Sequence, residues 1–294
     1  MNQPLANKVA LVAGATRGAG RAIALELALA GAKVYATGRS TRAAPSAMGR
    51  RETIEETAEV IGEAGGQAVA LRVDHTQPTE VAALIERIDE AEGGRLDILV
   101  NDIWGGDPLA QWDVPFWEHD LDKGLQMQQL AVETHLITSW YALPLMVPHR
   151  HGLIVEITDG ITDRYRGSLF YDLAKASVIR FAQAQAEELR PHNVAAVAVS
   201  PGFLRSEAML DHFGVTEETW REAITKDEHF AVSETPRYLG RAVTALAADP
   251  QIMQRSGQAL ATWNLAKDYG FTDVDGTQPD WGSHGKRALG IDFG

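Results

Sequence analysis

Two short patterns in this sequence have the residue types and spacing for chemistry. Tyr171-Asp172-Leu173-Ala174-Lys175 sets a phenol and an ammonium at i and i+4, on one face of a helix. A phenol near its free pKa of about 10 is a poor proton relay at neutral pH. A nearby cation favours the phenolate and makes proton exchange with an alcohol or carbonyl oxygen feasible. The second pattern is Gly14-Ala15-Thr16-Arg17-Gly18-Ala19-Gly20. Glycines at such a turn permit a tight bend, close approach of backbone to a pyrophosphate and close helix–strand packing, while the following helix offers free N–H groups to the anion. Each pattern alone is common. Most Tyr-x-x-x-Lys pairs are surface pairs and many glycine triples are plain turns, so the elements around them decide their meaning.

The glycine turn follows Val9–Ala13, an apolar run of strand length, and precedes a stretch where Ile23, Leu27 and Ala30 recur at helical spacing until Gly31. Lys33 to Thr37 reads as a second strand, Glu52 to Ala64 as a helix and Ala68 to Val73 as a third strand. Pro78 suits the first turn of the next helix, which runs to about Glu92. Strands at Leu96 to Val100 and Leu153 to Ile157 bracket a long helical region ending near Met146. The tyrosine pair falls on a helix from Leu169 to Leu189, and Val194 to Val199 makes a sixth strand closed by Pro201-Gly202. Helices around Glu217 to Thr225 and Pro236 to Ala247, then a short strand near Leu260, complete the pattern. This alternation predicts an α/β fold: one Rossmann-like, doubly wound parallel sheet in a single three-layer αβα domain.

In that setting the glycine turn reads as a dinucleotide site, and the end of the second strand sorts between the two nicotinamide cofactors. A carboxylate there would bond the ribose hydroxyls and repel a 2′-phosphate. Here the strand ends Thr37-Gly38-Arg39, and Arg17 adds a second cation inside the turn. Guanidinium forks suit phosphate, so NADP(H) is the expected cofactor.

Composition bounds the rest. The 294 residues carry 27 Lys+Arg against 40 Asp+Glu, a net charge of −13. Such a surface repels phosphate backbones, which argues against nucleic-acid and anionic-membrane binding. With no cysteine, disulfides, thiolate metal sites, iron–sulfur clusters and cysteine nucleophiles are excluded. The nine histidines show no paired metal-binding spacing, so no metal is expected. The first residues lack the blocks of a signal peptide, and no apolar run approaches the ~20 residues that cross a bilayer; a cytoplasmic location is expected.

Together, Gly14-x-x-x-Gly18-x-Gly20, Asp74 after the third strand, Asn101 after the fourth, Tyr171-x-x-x-Lys175 and Pro201-Gly202 resemble the short-chain dehydrogenase/reductase family over about residues 6–262. Leu145-Met146-Val147-Pro148, Gly152-Leu153-Ile154-Val155 and the long tail are similar to the subgroup called dehydrogenase/reductase SDR family member one. The resemblance implies that Asp74 bonds the adenine amino group, with His75 beside it in the cofactor site. Asn101 would support the adenosine side and the fourth strand. Tyr171 would be the general acid/base, Lys175 would hold the nicotinamide ribose and lower the tyrosine pKa, and Pro201 and Gly202 would line the nicotinamide site. It further implies a mobile substrate lid over about 203–235, with Ser206 where a threonine often meets the cofactor amide. Residues 1–266 then form the catalytic domain and 267–294 a tail, rich in Gly and Asp, that wraps a neighbouring surface or is partly mobile. Arg180-Phe181-Ala182-Gln183 and the helix around Ile137 would lie on the family's dimer faces, implying a homodimer or homotetramer.

The chain departs from the family at four places. Ala13 replaces a threonine before the first glycine, and Asn101-Asp102-Ile103-Trp104 replaces Asn-Asn-Ala-Gly. The helix asparagine of the family's water relay aligns with Gln129. The serine that polarises the substrate oxygen aligns with Asp159. An ionised aspartate accepts hydrogen bonds and cannot donate one, and its charge would raise the tyrosine pKa. Three readings follow: Asp159 is a protonated donor; a hydroxyl at Thr158, Thr162 or Ser168 stands in; or the protein binds cofactor without ordinary carbonyl reduction. Trp104, Trp112 and Trp117 fall in the loop over the expected substrate cleft, as packing or as substrate contacts. The expected function is NADP(H)-dependent hydride transfer on a small carbonyl or alcohol. The alternative is a cofactor-binding sensor, scaffold or partner subunit.

Overall fold

The computed structural model describes residues 3–293. In chain order it builds β1 (Val9–Ala13), α1 (Gly18–Leu29), β2 (Lys33–Gly38), α2 (Ile54–Glu63), β3 (Gln67–Arg72), α3 (Pro78–Glu92), β4 (Ile98–Asn101), α4 (Leu121–Gln128) and α5 (Thr134–Ala142). There follow β5 (Gly152–Ile157), α6 (Leu169–Leu189), β6 (Val194–Ser200), α7 (Glu207–Phe213), α8 (Pro236–Ala248), β7 (Ala259–Ala261), α9 (Thr262–Tyr269) and α10 (Trp281–Ala288).

The strands form one parallel sheet in the order β3-β2-β1-β4-β5-β6-β7. Alternate residues of each strand face opposite layers. Ala10 and Val12 pack with Ile23 and Leu27 of α1 and with Leu239 and Val243 of α8. Val9 and Leu11 pack with Val81, Leu84 and Ile88 of α3 and with Ala186 and Leu189 of α6. Burial on both faces is why the strands read as unbroken apolar runs. The strand order reverses between β1 and β4, and the crevice at the carboxyl ends beside that switch point is where such sheets take ligands.

Sequence and structure differ where local signals were not periodic. The long helical region before Met146 is interrupted by a π-turn, Gln129–Glu133, between α4 and α5. The expected helix near Glu217 is a 3-10 turn, Trp220–Thr225, held because Trp220 packs with Phe213 and Phe230 in a small separate core. Helix α7 is only two turns long, with Met209, Leu210 and Phe213 on one apolar side, and α10 carries no apolar repeat; each starts from a cap. Ser206 accepts from the Met209 N–H, and Asp280 from the Ser283 N–H. The α9 helix runs through residue 267, and α10 folds back so that Trp281 meets Phe203 edge-on at 5.7 Å between centroids.

Candidate active site

The carboxyl ends of the central strands open into a cavity of about 1230 Å³. At one end lies the glycine turn. Gly14 has φ +93°, and a Cβ there would stand 2.3 Å from the Asp102 carbonyl oxygen. A Cβ on Gly20 would stand 2.4 Å from the Gly14 oxygen. Neither position has room for a side chain, so the turn and the start of α1 close up tightly and leave backbone facing the cavity. Gly18 N–H donates to Glu207 Oε2 at 2.9 Å, which puts a carboxylate from the start of α7 on a group suited to an anion.

Arg17, Arg39 and Ser40 line the same end. Arg17 donates to the hydroxyls of Ser40 and Ser46, and its Nε lies 3.4 Å from Glu52. Arg39 is 43% exposed and 3.9 Å from Asp74, whose carboxylate takes the N–H and hydroxyl of Thr76. Ala19, Asp74, Pro201 and Gly202 border the cavity as expected from the sequence.

Three expected site residues are tied into the scaffold or lie off the cavity. Asn101 is fully buried below the cavity floor; its amide donates to Ser139 and Glu156, and Glu156 holds His135 at 2.6 Å. It pins β4 to β5 and its side chain does not line the cavity. His75 borders the cavity, but both ring nitrogens bond to hydroxyls, those of Thr37 and Thr138, each at 2.8 Å. Burial pushes its pKa down to about 3, so the neutral ring serves as a tie between β2 and α5. Gln129 is exposed and outside the cavity lining; the π-turn turns Leu130 and Thr134 inward in its place.

At the other end α6 presents Tyr171 and Lys175 to the cavity. Tyr171 donates to Asp159 Oδ2 at 2.7 Å. Burial, followed by the Asp159 charge and hydrogen bond, raises the phenol pKa well above its ordinary value. Burial lowers the Lys175 pKa against the pull of Asp159, Asp102 and Asp107, and its Nζ sits 3.9 Å over the Trp104 ring. Burial also pushes Asp102 up to about 7. Thr158, the alternative hydroxyl, is spent on the Lys175 carbonyl at 2.8 Å, and neither Thr162 nor Ser168 lines the cavity. The position facing Tyr171 therefore belongs to Asp159.

Aromatic rings wall this end. Trp104 and Trp112 flank Tyr171 at 5.6 and 5.1 Å between centroids, whereas Trp117 is 77% exposed and away from the cavity. Asp107, Glu207, Trp263, Trp281 and Phe293 also line the cavity, although no motif marks them in the sequence. The local signals nearest to them are the caps at Ser206 and Asp280, which fix α7 and α10. No helix among the described residues is long and apolar enough to cross a membrane, and no group of three or more potential metal ligands is found among them.

A family model described as short chain dehydrogenase matches residues 8–213. Dehydrogenase/reductase SDR family member 1 of Homo sapiens is 36% identical over 280 residues, covering 94% of this chain and 86% of that protein. The 3-oxoacyl-[acyl-carrier-protein] reductase of Synechocystis is 30% identical over 260 residues, covering 87% and 95%. Among solved structures, a hydroxysteroid dehydrogenase from Escherichia coli matches with TM-score 0.70 and 25% identity, covering 88% and 96%. A gluconate 5-dehydrogenase from Beutenbergia cavernae, described as putative and NAD(P) dependent with bound NADP, matches with TM-score 0.68 and 26% identity, covering 88% and 96%. The chain belongs to the short-chain dehydrogenase/reductase family, and within it is similar to the family member 1 proteins of human and mouse. Its relatives are oxidoreductases using a nicotinamide cofactor, and the side-chain-free glycine cradle beside a large cavity fits one here.

Proposed function

We propose that this protein is an NADP(H)-dependent oxidoreductase acting on a carbonyl or alcohol, with Tyr171 as general acid/base and Lys175 as its support. The observation that carries this reading is the presence of Tyr171, Lys175 and the glycine turn on one cavity. When bound, the nicotinamide supplies or accepts the hydride. Gly18, Ala19 and the first turn of α1 would hold the pyrophosphate by backbone N–H groups, while Gly14, whose own N–H donates to the Thr37 carbonyl, would keep the turn clear of side chain. Arg17, Arg39 and Ser40 would take the 2′-phosphate, and Asp74 the adenine. Pro201 and Gly202 would border the nicotinamide. Tyr171 holds the exchangeable proton at Oη; Lys175 keeps positive charge against it, and the tryptophans exclude water.

Residues 203–235 would serve as the substrate lid of a dinucleotide-binding domain ending near 266, with 267–294 as a tail. A cytoplasmic homodimer or homotetramer fits the acidic composition and the exposed Leu125, Leu136 and Trp140 on α4 and α5. A second reading, a cofactor-binding protein without ordinary carbonyl reduction, is favoured by the carboxylate that takes the Tyr171 proton donor. Titration of NADPH and NADH against wild type and Arg39→Ala by tryptophan fluorescence tests the cofactor assignment. NADPH affinity should fall about 10- to 100-fold in the variant, as for loss of a charged hydrogen bond, with NADH unchanged. Unchanged NADPH affinity would sink it.

A further inference from the structure

We propose that Asp159 determines specificity and that the substrate carries a protonated amine beside the reacting carbon, as in an aryl vicinal amino ketone or amino alcohol. The inference rests on the reading of Tyr171 as acid/base and narrows its substrate class.

The Tyr171 hydroxyl must give up a partner before it can act. At rest it donates to Asp159 Oδ2 at 2.7 Å. To protonate a substrate oxygen it must turn away from Asp159, and the carboxylate then loses its donor. A carboxylate only accepts, so it cannot polarise a carbonyl as a serine would. Asp159 is exposed to the open cavity, so water can take that place until a substrate displaces it; the carboxylate then needs a donor from the substrate itself, and the most effective one is a cation. A neutral ketone offers no donor. A substrate ammonium next to the reacting carbon does. Its nitrogen and the substrate oxygen are vicinal, spaced much as the Tyr171 and Asp159 oxygens are, so one molecule meets both groups.

The surroundings agree with this. Trp104, Trp112, Trp281 and Phe203 line the cavity, and aromatic faces attract organic ammonium groups. Asp107 adds a second carboxylate on the same wall, fixed by the Trp104 indole N–H at 2.7 Å. Two protein cations lie near, and both are engaged elsewhere. Lys175 stacks on Trp104, and Arg166 donates to the Asp159 backbone carbonyl and to the Asp172 carboxylate. Among the described residues no cationic side chain is hydrogen-bonded to the Asp159 carboxylate, and Arg166 does not line the cavity. The site is thus aromatic and acidic at the point where the reacting carbon is held.

The test uses matched pairs at neutral pH on the full chain. Calorimetry in the presence of NADPH compares 2-phenylethylamine with 2-phenylethanol. Initial rates with NADP+ compare 2-amino-1-phenylethanol with 1-phenylethane-1,2-diol. The amine should be favoured about 10- to 100-fold in both measurements, the range expected of a charged hydrogen bond, and Asp159→Ser and Asp159→Asn should erase the preference. Equal affinity for amine and alcohol in wild type overturns the proposal, and that arm needs no variant to fold. A preference that survives in both variants also overturns it. Selective amine binding that both variants erase, with no turnover of either alcohol, upholds Asp159 as the ammonium-binding group and counts against the oxidoreductase reading on which the substrate assignment rests, so the two fail separately.

Discussion

At one end of the cavity the lining comes mainly from a single stretch of chain, Val9 to Thr76, where each strand feeds directly into the next turn; at the other it converges from the loops after β4, β5 and β6 and from the tail. The first end is backbone chemistry. Its proposed anion site rests on backbone freed of side chains by glycines, and Arg17 and Arg39 would only add selectivity. The second end is side-chain chemistry, in which Tyr171, Lys175, Asp159 and a set of rings hold one another in place. A backbone site tolerates few substitutions but is indifferent to much of its neighbourhood. A side-chain site can be retuned by one replacement, and Asp159, which takes the Tyr171 hydroxyl, is the position proposed to do so.

This contrast can be broken by experiment. Tyr171→Phe should have the largest effect: kcat falls about 10²- to 10⁴-fold as the acid/base is lost, while NADPH binding stays as in wild type. If binding falls with kcat, the two ends are not separate. Gly14→Ala should do the reverse, because a side chain is forced into the Asp102 carbonyl at positive φ. A loss of about 2–4 kcal/mol in unfolding free energy is expected in denaturant melts, together with weakened cofactor binding. A variant as stable as the parent would show that the turn has slack.

Asp159→Ser sharpens the comparison through pH. Burial and then the Asp159 charge raise the Tyr171 pKa, so removing that charge lowers it. Alcohol oxidation needs the phenolate, and its ascending limb should therefore lie at lower pH in the variant. A limb that stays put, or moves up, would remove Asp159 from the proton chemistry. The smallest effect is expected for Trp281→Ala, about 2- to 10-fold in KM with kcat nearly constant, the worth of one aromatic contact. A collapse of kcat would make the tail part of the reacting centre.

The same contrast explains how far the residues could be read in advance. The glycine turn, Arg39, Asp74 and the Tyr171–Lys175 pair are local signals: each sits at a strand end or on one helix face, where spacing translates directly into position. The substrate end depends on contacts between residues far apart in the chain. Nothing local distinguishes Trp112, which packs on Tyr171, from Trp117, which faces solvent. Gln129 was placed by counting along a helix, and the π-turn at that point changes which residues face inward. Asn101 sits where the spacing predicts, yet its amide is captured by Glu156 and Ser139 from neighbouring elements. The tail showed no repeat because α10 is short and seated by single aromatic contacts.

That seating has a further meaning. Among the described residues no strand pairing involves a residue after Ala261, yet Trp263, Trp281 and Phe293 complete the substrate wall. The segment from α10 onward therefore shapes the cavity without belonging to the sheet, so a change in its residues alters the wall and leaves the strand order intact.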